Sequence, residues 1–397
     1  MSTQDSQQAT SQQPGTIRTI TMDNDGDLTV VVGPGGPGSG PHTSTFLVCS
    51  HALSRSSPIF KTMLYGSFRE SRLANTGPEP WTVKLPDDHP THATILFNIV
   101  HSHFNKVSAV VISLELLYGI LAFTDKYDMT VLLAPWLQAW VSSVYPLQAD
   151  PFNHNGPRAA WAAITVSREL GATAPLKDLV RSVVLHARPE QSRTGELVFF
   201  GRPLEPRGSQ QWPLSCPEVF ETASTVRLEC LSTIFEQLRT TVLGLQHAIA
   251  RNGALFCKDS VEVDRWTRRP FIPATRGICH STSLGFILSA LGPAELKLLW
   301  AETDSELYPE LLNLYPFSVH DLVQKIKGIK IPDYNWSFDS KMNHTAACSP
   351  LPAIAAGIDV IVASDRGHLT DETTAYLEKQ RIKFGNLDFA MPTPKRG

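Results

Sequence analysis

The apolar pattern is densest between Phe46 and Ser71, in FLVCSHALSRSSPIFKTMLYGSFRES. Its first four residues read as a strand, and from His51 the apolar positions Leu53, Ile59, Phe60, Met63 and Leu64 recur at three- and four-residue spacings, predicting helix on one face. Ser54, Ser56 and Ser57, followed by Pro58, divide that helix. Proline at a helix start lacks only an amide that would be unpaired there, so one helix is expected to stop near Ser54 and the next to begin near Pro58. Upstream, DLTVVVG from Asp27 predicts a strand, and Ile17 and Ile20 can add a short one before the acidic turn DNDGD. Downstream, WTVKL alternates Trp81, Val83 and Leu85 on one face. Asp87 or Asp88 is expected to cap the next helix, whose stripe is Ile95, Leu96, Ile99 and Val100. Two more helices follow over Leu114 to Phe123 and Met129 to Val144. The sum is a small α/β module of three strands and several helices.

Beyond a Pro-, Asn- and Gly-rich connection at residues 146–160 the alternating pattern nearly vanishes. WAAITVSREL and LKDLVRSVVLHA predict a helix pair around Gly171 and Pro175, and a short strand is expected at Leu197 to Phe200. The longest predicted helix carries Leu228, Leu231, Phe235, Leu238, Val242 and Leu245, with Asn252-Gly253 as its C-cap. GFILSALGPAELKLLW and ELLNLYPFSVHDLVQKIKG predict further helices, and from Pro332 onward irregular chain is expected. Residues 1–20 are polar and read as a disordered tail, because such a segment buries too little to offset its ordering entropy. The expected organisation is therefore an α/β domain over 21–147, a mainly α-helical domain over 148–385, and a loose tail over 386–397.

The N-terminal blocks carry a resemblance. Strand, Phe-x-x-(His)-x-x-x-Leu, Ser-Ser-Pro-x-Phe, Met-Leu and Phe-x-Glu-Ser, in that order, resemble the heart of the BTB/POZ domain, in the form common in fungal BTB-domain proteins. DLTVVVG, WTVKLPDDHPTHATILFNIVHSHF and LELLYGILAFTDKYDMTVLLAPWLQAW are similar to its opening strand, third strand and later helices, so the resemblance spans about residues 25 to 145. It implies a three-stranded small sheet with helices and a role in protein–protein interaction. Cys49 stands where that family usually has histidine, and Ser50 where it often has Lys or Arg. In BTB transcription factors that cation and the first-strand acid, here Asp27, help form a charged pocket. With the cation absent at position 50, co-repressor docking of that kind is not expected. Strand exchange in BTB homodimers needs an apolar N-terminal extension, and only Ile17, Ile20 and Met22 precede Asp27, so an exchanged homodimer is disfavoured.

Length and composition change this picture little. With 397 residues, 42% hydrophobic and 18% charged, the chain holds two or three ordinary domains. The net charge of −3 comes with no basic excess in either half, so phosphate-backbone binding gets no support and nucleic acid is not an expected partner. The six cysteines lie far apart, with no N-terminal apolar leader and no apolar run long enough to span a membrane. The expected location is intracellular, in cytoplasm or nucleus.

Candidate chemistry is sparse. Gly33, Gly35 and Gly38 match G-x-G-x-x-G by the letter, but a strand follows where a helix is needed and Pro34 and Pro37 remove amide donors, so a loop is the reading. DNDGD lacks the spacing of a calcium loop. His92, His101 and His103 read as solvated histidines, and Arg265, Arg268 and Arg269 around Trp266 as a solvated surface loop. No serine-hydrolase elbow, phosphate loop, HExxH or CxxC pair is present, so no catalytic residue and no cofactor is expected. The nearest constellation is Cys257, Cys279-His280 and His344-x-x-x-Cys348. Cys257, Cys279, His344 and Cys348 can form a structural zinc site without an open position; the alternative is unrelated buried or free thiols.

These readings converge on a non-enzymatic protein-interaction adaptor that meets its partner through the BTB-like domain, with Phe68, Trp136 and Trp140 as aromatic anchors. A substrate adaptor of a cullin-type ubiquitin ligase is one form of it. A transcription or chromatin-associated regulator is an alternative, and an enzyme in the C-terminal half is an alternative from another class.

Overall fold

The computed structural model describes residues 19–34, 43–74, 77, 79–109, 113–144, 156–190, 197–199, 202–203, 214, 216–251, 257, 262–263, 270–271, 275–332, 348–364, 367 and 369–385. The expectations for residues 1–16, Gly35, Gly38, the connection from 146 to 155, Asn252-Gly253, the arginines around Trp266, His344 and the tail from 386 lie outside the described residues. The chain divides into two compact units, one of Met1–Asp150 with Glu169–Gly171 and Lys379–Gly397, the other of Pro151–Arg168 and Ala172–Glu378.

The first unit is built on a mixed sheet of β1 (Thr19–Thr21), β2 (Leu28–Val32), β3 (Ser44–Val48) and β4 (Thr82–Leu85), in the order β1-β3-β2-β4. Its fourth strand, β1, contains Ile20 and is the short strand that can be added to the expected three; Ile17 lies outside the described residues. Thr19–Thr21 pairs parallel with Thr45–Leu47, giving the edge of β3 a ladder partner within the same chain. β2 is antiparallel to β3, with Val30 opposite Phe46, and parallel to β4, with Val30 opposite Val83. Leu28, Val30 and Val32 alternate inward, as do Val83 and Leu85, so one face is core.

From β3 the chain passes into α1 (Ser50–Ser56) and α2 (Pro58–Tyr65), divided where the serines and proline predict. The Ser57 side chain accepts the Phe60 amide at 2.9 Å and donates to the Tyr127 carbonyl, so the break is both a cap and a tertiary tie. Leu53, Phe60 and Leu64 are buried, whereas Ile59 is exposed and leaves the expected face. α3 (Pro90–Val100), α4 (Leu114–Lys126) and α5 (Ala134–Val144) complete the unit. Phe97 of α3 meets Phe46 edge to face at 5.2 Å, and Phe60 stacks on Tyr127 at 4.4 Å. α3 is capped by His89, whose ring accepts the Thr91 amide, and not by an aspartate. Asp88 is already engaged, accepting from Lys126 at 2.8 Å and from the Tyr127 hydroxyl at 2.6 Å.

The second unit is mainly helical. α6 (Gly156–Glu169) and α7 (Thr173–His186) turn at Gly171, whose φ of +70° is the left-handed conformation glycine adopts freely. Small β pairings occur here too: β5 (Arg188–Pro189), β6 (Leu197–Phe199) and β7 (Arg202–Pro203) form one sheet, and β8 (Glu262–Val263) with β9 (Pro270–Phe271) another. α8 (Pro217–Arg251) is the long helix the periodicity predicts, burying Leu231, Phe235, Leu238, Val242 and Leu245. α9 (Thr275–Ala290), α10 (Pro293–Leu299), α11 (Leu307–Asn313) and α12 (Val319–Lys327) pack around it. Glu295 of α10 is buried but paired, meeting Lys325 at 2.9 Å, the Tyr315 hydroxyl at 2.9 Å and the Gly292 amide at 2.8 Å.

The chain after Pro332 is not irregular throughout. α13 (Leu351–Ala363) and α14 (Asp371–Lys383) are regular helices, with Ile354, Ile358 and Ile361 buried at four- and three-residue spacing along the first. No helix among the described residues is long and apolar enough to cross a membrane.

Candidate functional site

At the junction of β3 and α1 the first amide of α1, that of Ser50, meets Asp27, the residue just before β2. Its carboxylate accepts the Ser50 amide and the Ser50 hydroxyl, each at 2.8 Å, an anion held at a helix N-terminus. Burial would raise the Asp27 carboxyl, but the Ser50 bonds and the Arg72 guanidinium outweigh it and hold the group below the ordinary carboxylate value. The Arg72 Nη1 lies 2.7 Å from Asp27, and its guanidinium sits over the Trp81 ring at 5.6 Å. Position 50 carries no cation, but Arg72, later in the chain, supplies one to Asp27. The Ser50 hydroxyl also meets the Tyr65 hydroxyl at 2.6 Å, and Tyr65 stacks on His51.

The histidines of this unit are not simply solvated. The Cys49 amide donates to His101 Nε2 at 3.0 Å while His101 Nδ1 lies 2.8 Å from the Phe97 carbonyl, so the ring bridges α3 to the start of α1. Burial pushes His101 below the ordinary histidine value and His92 down to about 4.

The three aromatic anchors separate. Phe68 is 53% exposed and available to a partner. Trp136 is half-buried between Phe104, at 5.7 Å, and Trp140, at 6.2 Å. Trp140 is 1% exposed and its indole donates to the Ser108 carbonyl at 2.8 Å, which makes it a core residue with no surface to offer. An apolar stripe rich in tryptophan does not reveal which ring faces inward until its helix is packed. Phe104 and Val131, which periodicity does not single out, are exposed on this unit.

In the second unit, cysteines from three separate segments converge: Cys257 beyond α8, Cys279 within α9 and Cys348 just ahead of α13. All three are buried, and their sulfurs lie within 4.8 Å of one another. Burial, then the neighbouring Cys257 and Cys348 thiols, push Cys279 up to about 12. Three thiols so close cannot all ionise unless a cation sits among them. The His280 ring, also buried, borders the cluster and accepts the Cys257 amide on Nε2 at 3.3 Å. His344, the fourth member expected of the set, lies outside the described residues.

An open groove of about 830 Å³ in the same unit is lined by α8 residues Glu236, Gln237 and Thr240 together with Tyr308 and Val360. Among the described residues its lining holds one carboxylate, Glu236, several hydroxyls and no histidine, cysteine or lysine. Compared with known proteins, the chain matches no family model and no curated relative.

Proposed function

We propose that this protein is a non-enzymatic protein-interaction adaptor whose N-terminal unit is a BTB/POZ-like domain, acting as a substrate adaptor of a cullin-type ubiquitin ligase. One observation carries the reading: the sequence blocks that resemble that domain coincide, in order, with β2, β3, α1, α2, β4, α3, α4 and α5. The apolar residues this unit leaves exposed, Ile59, Phe68, Phe104 and Val131 among them, are of the kind that anchor a partner. The partner surface draws on these side chains, and Trp136 contributes an edge. Pull-down of the full chain with a cullin's N-terminal domain tests the reading, with Phe68→Ala and Val131→Glu each expected to reduce capture while the fold is kept. Failure of the folded parent chain to capture a cullin would refute it.

A second reading, a transcription or chromatin-associated regulator, is favoured by the Asp27–Arg72 pair, which puts a cation beside the acid that the resemblance assigns to a charged pocket. Binding to nucleic acid with a steep salt slope would favour that reading over the adaptor. The enzyme alternative needs a polar pocket in the C-terminal half; the groove beside α8 is one candidate, and turnover lost on Glu236→Gln would favour it.

A further inference from the structure

We propose that Cys257, Cys279 and Cys348 hold one zinc ion as three of its four tetrahedral ligands, the fourth being a donor that these three do not supply, and that the ion is structural, tying the segments beyond α8, in α9 and ahead of α13 into one unit. The proposal starts from convergence. The three residues are far apart in sequence and share no CxxC spacing, yet their sulfurs lie within 4.8 Å of one another. Zinc–sulfur bonds of about 2.3 Å in a tetrahedron put the sulfurs about 3.8 Å apart, so small side-chain rotations close the set around an ion.

Donor chemistry then selects the metal. Thiolates are soft ligands that favour zinc or copper(I) over calcium, magnesium or manganese, and among the described residues no carboxylate belongs to the cluster. Burial fits a structural ion better than a redox pair: three thiols cannot pair off among themselves, and any one disulfide strands the third. Binding exchanges three S–H protons for one divalent cation, the protons passing to solvent. His280 borders the sulfurs and takes the Cys257 amide, so it orients the Cys257 backbone as a positioning residue.

The test uses the full, tag-free chain purified from zinc-supplemented cells under reducing conditions. Metal analysis should find about one zinc per chain, falling several-fold in Cys279→Ser and Cys348→Ser but unchanged in Cys49→Ser. Stripping with a strong chelator should lower the melting temperature of the parent, and added zinc should restore it. Cobalt(II) loading of the stripped chain should give the visible bands of tetrahedral cobalt and an ultraviolet thiolate charge-transfer band that weakens with each cysteine removed, a readout independent of stability. His280→Gln should keep the zinc while lowering its affinity. A folded parent with no zinc, zinc that persists in both cysteine variants, copper in its place, or a disulfide between two of the three would each overturn the proposal.

Discussion

The Asp27 carboxylate holds Ser50 twice, through its amide and its hydroxyl, both at 2.8 Å. One acid before β2 thereby caps α1 where the chain leaves β3, and Arg72 meets the same carboxylate oxygen that accepts the Ser50 hydroxyl. Asp27→Asn keeps the shape but weakens a charge-assisted pair, and about 1 kcal/mol should be lost. Because the folded carboxyl titrates below its unfolded value, this contribution is present above about pH 4 and is lost as the pH falls through the folded value. Chemical denaturation at pH 7 and pH 3 checks both: the difference between parent and variant should shrink at pH 3.

His92 sets a second pH window. Its ring is held neutral in the folded chain down to about 4, by burial first and by the neighbouring His89 second, whereas an unfolded histidine takes a proton near 6.5. Between those values the unfolded state binds more protons, so stability must fall as the pH falls from 6.5 toward 4, by on the order of 2 kcal/mol. Melting curves from pH 7 to pH 4.5 should show this fall in the parent and a shallower one in His92→Gln.

The same ring limits what α4 can carry at Gly119. A Cβ built there would lie 2.0 Å from His92 Cε1, so Gly119→Ala overpacks α3 against α4 and should cost about 1–3 kcal/mol. In a His92→Ala background the clash is gone and the better helix propensity of alanine remains. A double-mutant cycle should therefore show Gly119→Ala changing from destabilising to neutral or stabilising.

Arg227 organises the second unit in a comparable way. It is 1% exposed, and its guanidinium donates to the carbonyls of Ala187, Tyr315 and Phe317, joining α8 to the end of α7 and to the turn between α11 and α12. Burial pushes it down to about 10, so it remains charged at neutral pH. Arg227→Met strands three carbonyl acceptors and should destabilise the chain by about 2–4 kcal/mol in urea denaturation. Arg227→Lys, which lacks the planar fork, should fall between.

β1 pairs with β3 of its own chain, and the expectation is that copies do not exchange this strand. Sedimentation at low micromolar concentration is expected to show a monomer. A dimer that dissociates when residues 1–24 are removed would contradict this.

What the sequence makes legible here is mostly local. The serines before Pro58 divide α1 from α2, and the alternation of Trp81, Val83 and Leu85 marks β4, because each signal is complete within a few residues. Features that depend on distant partners are not legible in that way. Asp88 reads as a cap but accepts from Lys126 and Tyr127, which leaves the cap to His89. Arg72 meets Asp27 only after the sheet has formed, and Trp140 differs from Phe68 only by the packing of its helix. α13 is obscured by its alanines and Gly357, although Ile354, Ile358 and Ile361 carry a periodic signal. The cysteine set is visible as residues but not as a cluster, since three segments with no CxxC meet only in the folded unit.

The most direct measurement of the adaptor reading is a calorimetric titration of the folded full-length chain with a cullin N-terminal domain. The account predicts a one-to-one complex with Kd of about 1 μM or tighter, weakened roughly tenfold or more by Phe68→Ala, the change of about 1.4 kcal/mol that a contact anchor contributes. No binding at protein concentrations of about 100 μM, with both partners folded, would contradict it.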